Sequence, residues 1–314
     1  MVSQFWSIES VDCEKSLMTK TQVLILVNPK SGRGKALQTA LGLLKFAQKN
    51  AVTAVLLEPQ SAKAAITDLS EVLARSNFDA VIAIGGDGLV HLVSQVLSGT
   101  SVPLFIVPAG TGNDFARSNS LLTTNPAEIF EAIRSRKPQL IDVGKIVLKQ
   151  ENRNFVQILS TGFDAQVNER ANRNRFVTGK MKYNFATLAV LPAFRPIEYE
   201  LEIDGVQRKI KAMLVAVANG ASYGGGMQLC PMADRSDGFL DIMILHPVSK
   251  LELLKVFPRV YSGKHVTHPA VEFVRAKTIK LNADTVAYAD GEHIGRLPIS
   301  VSVEPQNLAT WMAL

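Results

Sequence analysis

The chain has 314 residues, 47% hydrophobic and 20% charged. That is a globular composition with length for two domains, which excludes wholesale disorder and low-complexity arrays. The net charge of +6 favours anionic partners, and without RNA-binding signatures or aromatic stacking platforms a membrane face or a phosphate-bearing substrate is preferred over nucleic acid. Cys13 and Cys230 are too few for a disulfide framework and read as free thiols in a reducing compartment. The first twenty residues mix Glu9, Asp12, Glu14 and Lys15 among apolar residues, unlike a secretory signal. No run of ~18 apolar residues stands out as a membrane span. The expectation is a cytoplasmic protein with a tail at 1–20.

From Thr21 the chain settles into strand–turn–helix units. Residues 23–27 form a short apolar run, followed by the turn Asn28-Pro29-Lys30-Ser31-Gly32. A helix is expected over 35–48, with Leu37, Leu41, Leu44 and Ala47 at helical spacing. Strands follow at 52–57, 80–84 and 104–107, and helices at 62–74 and 89–97. The third strand runs into Gly85-Gly86-Asp87-Gly88, and the fourth into Pro108-Ala109-Gly110-Thr111-Gly112-Asn113-Asp114. Alternation of this kind predicts a parallel sheet covered on both faces. Ligands of such sheets bind at the carboxyl ends of the strands.

The pattern changes near Val143. Short β-rich runs are expected at 143–148, 155–161, 198–203, 212–218, 240–245, 278–282 and 299–303, with helical inserts at 165–193 and 251–261. The domains are therefore expected at 21–143, α/β, and at 144–314, mostly β and sandwich-like.

Glycine turns let backbone N–H groups approach phosphate oxygens, and a following helix adds its positive end. The common nucleotide fingerprints fail here. A P-loop needs Gly at Pro29 and Ser or Thr at Ala36, and a dinucleotide fingerprint needs a small residue at Leu37. Asp87 places a carboxylate among glycines. It either works with Mg-ATP or caps the next helix, and both readings stay open at this point.

Four segments together resemble the diacylglycerol kinase catalytic family in its bacterial branch: Asn28 to Gly32, Gly85 to Gly88, Pro108 to Arg117, and Asp290-Gly291-Glu292. The resemblance runs from Lys20 nearly to the end. It implies a phosphofructokinase-like nucleotide domain and a β-sandwich lipid-substrate domain, with ATP in the cleft between them. It implies ATP contacts from Asn28, Ser31, Gly85, Gly86, Asp87, Gly88, Gly110 and Thr111. Asp290 would be the general base, and Glu292 would assist with catalytic Mg²⁺. A structural metal loop would lie at 234–241, with Asp237 as the side-chain ligand and backbone carbonyls near Asp234 and Phe239.

The chemistry of Asp290 can be argued separately. A lipid hydroxyl is a weak nucleophile, and a positioned carboxylate can accept its proton during attack on the γ-phosphorus. An extended segment would point Asp290 and Glu292 to the same side. An isolated Asp-Gly-Glu would otherwise be a solvated hairpin tip.

The run Gly88-Leu89-Val90-His91 is more similar to the sphingosine and ceramide kinase relatives. The expected activity is phosphorylation of diacylglycerol to phosphatidic acid, at an anionic membrane surface contacted peripherally. Sphingoid bases, ceramide or phosphatidylglycerol remain alternative acceptors. NAD kinase is a related fold, and a catalytically inactive relative that binds nucleotide or lipid is a reading of another class. Self-association as a homodimer stays open. His265 and His268 read as surface residues, Arg170 to Lys182 as a solvated basic insert, and Leu188 to Leu191 as core.

Overall fold

The computed structural model describes residues 21–148, 151–173 and 186–312. The chain divides into two compact units, Met1–Leu140 with Asn307–Leu314, and Ile141–Gln306.

In the first unit β1 (Gln22–Val27), β2 (Thr53–Leu57), β3 (Ala80–Gly85) and β4 (Leu104–Pro108) pair in parallel in the order β2-β1-β3-β4. Helices α1 (Lys35–Lys49), α2 (Ala62–Arg75) and α3 (Asp87–Leu97) connect them. Two further helices follow, α4 (Asp114–Ser118) and α5 (Pro126–Ser135). Val23, Ile25 and Val27 pack with Ala40 and Leu43 of α1 and Phe130 of α5. Leu24 and Leu26 alternate to the other face and are equally buried. Burial on both faces is why these strands read as continuous apolar runs.

Helix starts follow local chemistry. The Ser61 hydroxyl accepts the Ala64 N–H at 3.1 Å, and the Asn125 side-chain Oδ1 accepts the Ala127 N–H at 3.1 Å, with Pro126 in the first turn. β1 leads outward to β2, and the chain then crosses back over β1 to β3. The switch in direction lies between β1 and β3.

The second unit is antiparallel. Its strands are β5 (Gln139–Val147, from Ile141), β6 (Asn152–Phe155), β7 (Ile158–Gly162), β8 (Ile197–Ile203), β9 (Val206–Ala212), β10 (Leu214–Ala218), β11 (Leu240–Leu245), β12 (Val271–Ala276), β13 (Thr278–Asn282), β14 (Val286–Ala289), β15 (Glu292–Arg296) and the first part of β16 (Ile299–Thr310). One sheet runs β12-β11-β10-β7-β14-β15. The other runs β16-β13-β8-β9, with β5 between β16 and β6. Val215, Val217, Ile242 and Ile244 of the first meet Tyr199, Leu201, Ile279 and Val301 of the second in one core. Alternate residues Ala216, Met243 and Leu245 pack on the outer face, against α6 (Phe163–Arg173) and α7 (Lys250–Val256).

The domain boundary needs one correction. Residues 307–312 belong to the first unit. Thr310 pairs with Leu104, and the Trp311 ring lies 5.5 Å from Phe105. The Trp311 indole N–H donates to the Arg136 carbonyl at 3.0 Å. The expected single strand at 212–218 is two, because Ala212 ends β9 in one sheet and Leu214 begins β10 in the other. Residues 155–161 split likewise between β6 and β7. Of the helical insert at 165–193, α6 and a stretch at 186–190 are helical, and 174–185 lie outside the described residues, as do Cys13 and most of the basic insert.

Gly144 pairs with Phe155, whose ring covers it so closely that a Cβ would enter the ring. Gly144→Ala should destabilise the protein by about 1–3 kcal/mol, measured by urea unfolding. Adding Phe155→Leu should recover part of that loss.

Candidate active site

Parallel register brings three turns together at the carboxyl ends of β1, β3 and β4. The Asn28 N–H donates to the Ile84 carbonyl at 3.1 Å, and the Ala109 N–H to the Gly85 carbonyl at 2.8 Å. A Cβ on Gly110 would stand 2.5 Å from the Gly86 Cα, and one on Gly32 would stand 2.9 Å from the Ala109 carbonyl oxygen. These turns touch backbone to backbone, which only glycine permits. Asn113, at φ 53°, closes its turn with its own side chain: Oδ1 accepts the Gly110 N–H and Nδ2 donates to the Gly110 carbonyl, both at 2.9 Å. Gly32, Arg33 and Gly34 all have positive φ just before α1.

Asp87 opens α3, and its Oδ1 accepts the Phe115 N–H at 3.3 Å. It therefore ties the second turn to the third. Leu89 is buried against Gly85, where a Cβ would meet its side chain at 2.7 Å. Its apolar character is thus used in packing under the turn. Asn28 Oδ1 accepts the Lys30 N–H at 3.1 Å, Ser31 is half-buried, and Thr111 is exposed. Asn28, Ser31, Asp87, Gly85, Gly86, Gly88, Gly110 and Thr111 thus share one edge of the first unit. Glycine backbone along this edge can approach phosphate oxygens closely.

In the second unit Asp290 sits in the turn between β14 and β15. Asp290 has φ 51° and Gly291 φ 87°, the tight hairpin geometry that Asp-Gly favours. This corrects the expected extended segment, so strand alternation cannot align Asp290 with Glu292. The Asp290 carboxylate accepts three backbone N–H groups instead, from Val156 at 2.9 Å, Gln157 at 2.9 Å and Ile158 at 3.2 Å. Glu292 is exposed at the start of β15.

A buried polar network supports this turn. Arg235 is 6% exposed and its guanidinium bonds the Gln157 side chain. Burial pushes the Arg235 pKa down to about 10, while the charge of Asp290 opposes that shift. The Asn219 amide donates to the Asp142 carbonyl at 2.9 Å and to the Val156 carbonyl at 3.1 Å. Asp142 is fully buried and accepts the N–H groups of Gly238, at 2.7 Å, and Gln306, at 2.8 Å. Sequence reasoning missed Asp142, Gln157, Asn219 and Arg235. One signal was present: Asp142 is a lone carboxylate in an apolar strand, and such groups are buried only with partners.

The loop at 234–241 closes on a cation of the chain itself. One Asp237 oxygen accepts the Phe239 N–H at 2.9 Å, and the other is ion-paired with Arg275. The Arg275 guanidinium also lies 4.8 Å from the Phe239 ring centre and 3.9 Å from Asp241. Asp234 Oδ1 accepts the N–H and hydroxyl of Ser236 at 3.0 and 2.7 Å. Among the described residues no group of three or more His, Cys, Asp or Glu side chains is placed to hold a metal ion. Arg275 occupies one Asp237 oxygen, and the expected metal would compete with that guanidinium there.

The histidines also differ from expectation. His265 is buried, with Nε2 2.9 Å from the Leu229 carbonyl, and His268 is half-buried 3.2 Å from Glu252. Among the described residues no helix is long and apolar enough to cross a membrane.

Residues 22–146 match the diacylglycerol kinase catalytic domain family, and residues 157–312 match the YegS C-terminal NAD kinase beta sandwich-like domain. A diacylglycerol kinase of Mycobacterium tuberculosis is 39% identical over 292 residues, 91% of this chain and 94% of that protein. This chain belongs to the diacylglycerol kinase family. A Bacillus subtilis member is 28% identical over 87% of this chain and 90% of its own length. The crystal structure of a Bacillus anthracis diacylglycerol kinase superposes with a TM-score of 0.69 at 22% identity. It covers 94% of this chain and 98% of that one, and it supports the fold alone.

Asp237→Ala and Arg275→Ala should each lower the thermal midpoint, and Mg²⁺ or a chelator should leave the wild-type midpoint unchanged. A Mg²⁺-dependent rise that disappears in Asp237→Ala would restore the metal to this loop.

Proposed function

We propose that this chain transfers the γ-phosphoryl group of ATP to the hydroxyl of diacylglycerol, giving phosphatidic acid and ADP. The observation that carries this reading is the Asp290 carboxylate, held by three backbone N–H groups inside an Asp-Gly-Glu turn. A carboxylate has about four acceptor sites. The three amide donors fix its orientation and leave about one acceptor site for the proton of a positioned hydroxyl. The hydroxyl oxygen forms the new bond to the γ-phosphorus, the bond from that phosphorus to the β–γ bridging oxygen breaks, and Asp290 takes the proton.

The glycine turns suit phosphates, because Gly86 and Gly110 meet backbone to backbone, an approach that a side chain at Gly110 would prevent. Asn28, Ser31, Gly85, Gly86, Asp87, Gly88, Gly110 and Thr111 would hold ATP. Mg²⁺ would neutralise charge on the phosphates, with Glu292 as a carboxylate for it. Arg235 and Gln157 position Asp290 and need no contact with substrate. The acceptor is a membrane lipid, so turnover requires peripheral contact with a bilayer.

The test is ATP-dependent phosphate transfer to a panel of lipids in mixed micelles, with NAD as the control acceptor. Asp290→Asn should lose about 10²–10⁴ of the turnover while ATP binding is retained; the thermal midpoint should fall, because the Asn amide nitrogen cannot accept an N–H as the second carboxylate oxygen does. Near-normal turnover in that variant would remove Asp290 as the base, and transfer to NAD alone would move the chain to another acceptor class.

A further inference from the structure

One surface of the second unit has no part in this chemistry. Segments 186–196 and 247–270 pack on the same apolar cluster through Leu191, Phe194, Leu253 and Val260. The Lys250 ammonium donates to the Pro192 carbonyl and ties the segments together. Helix α7 buries Leu253 and Val256 and turns its other face outward, where Leu251 is 73% and Leu254 38% exposed. Leu251, Leu254 and Lys255 stand at i, i+3 and i+4, on one side of the helix. On the adjoining segment Leu188 is 56% exposed, and Ala189, Pro192 and Ala193 are exposed beside it.

The charge on this surface has one sign. Arg195, Lys255, Arg259 and Lys264 are exposed and Lys250 is half-buried. The single acid in the two segments is Glu252, which pairs with His268 at 3.2 Å. Leucines projecting among cations match an anionic bilayer, where apolar side chains enter the acyl boundary and Lys and Arg remain at the headgroups. A second copy of this chain is disfavoured, since a two-fold contact would set basic residues against basic residues.

We infer that the outer face of α7, with Leu188, docks this chain on an anionic phospholipid bilayer. The inference rests on the lipid-kinase reading and adds the surface through which the enzyme meets its acceptor. Leu251 and Leu254 supply insertion, and Lys255 and Arg259 supply attraction to anionic lipid.

The experiment uses the full chain, a Leu251→Asp/Leu254→Asp variant and a Lys255→Glu/Arg259→Glu variant. Each is floated with phosphatidylcholine vesicles, with and without phosphatidylglycerol. Phosphate transfer is measured in parallel to vesicle-embedded long-chain diacylglycerol and to a short-chain diacylglycerol below its micelle concentration. Wild type should bind anionic vesicles and not neutral ones. A basic residue near such a surface contributes roughly fivefold in affinity, so the charge variant should lose at least about 25-fold. The leucine variant should also lose vesicle binding, and both should keep wild-type turnover of the soluble acceptor. Variants that bind anionic vesicles like wild type would overturn the inference. So would a wild-type dimer that both variants dissociate, which would give this face to a second copy. A wild type that floats, with variants that do not, but that phosphorylates neither acceptor, would keep the surface and overturn the lipid-kinase reading instead.

Discussion

A guanidinium removed from water must be answered by groups around it, and the answer given to Arg235 organises the second unit. Its side chain meets Gln157, and the charge of Asp290 is close enough to oppose the fall in its pKa. Its own carbonyl accepts the Asp142 N–H at 2.6 Å. Asp142 in turn holds Gly238 and Gln306. The start of β7, the loop at 234–241, the β14–β15 turn and β16 therefore meet around a few polar side chains. Buried polar groups of this kind stabilise only when every partner is present. The position of Asp290 depends on residues far from it in sequence.

The first unit owes its precision mainly to backbone contacts. Its three turns are set by parallel register and by the closeness of Gly86 to Gly110. Short side chains tune the edge: Asn113 folds back on Gly110, and Asp87 reaches Phe115. One unit thus places backbone amides by omitting side chains, and the other places a carboxylate by surrounding it with donors.

The α/β half was legible in chain order because its strands are buried on both faces and its helices carry clear periodicity. Helix α5 was missed, although Asn125-Pro126 is a start signal, because Asn125 also reads as loop. In the β half, β9, β12 and β15 were missed because they mix polar and apolar residues: Val206–Ala212 is largely exposed, for example. The strand β14 was missed because it is only four residues long. The Asp290 turn was misread because alternation was assumed where Asp-Gly prefers two positive φ angles. His265 was placed outside, although its partner is a carbonyl 36 residues away that no local pattern reveals. The supports of Asp290 were illegible for the same reason, since their contacts span 63 to 134 residues of sequence.

The return of the C-terminus to the first unit bears on how the protein is born. A ribosome delivers β1 to β4 early, but Thr310 and Trp311, which cover Leu104 and Phe105, come only after the whole second unit has been made. Through most of synthesis the α/β half therefore waits with one strand edge and one aromatic face open. An unfinished edge of that kind attracts wrong partners. Vectorial folding can complete the inserted β half before it completes the α/β half, and a nascent chain arrested before residue 307 would carry a finished Asp290 turn and an unfinished first unit.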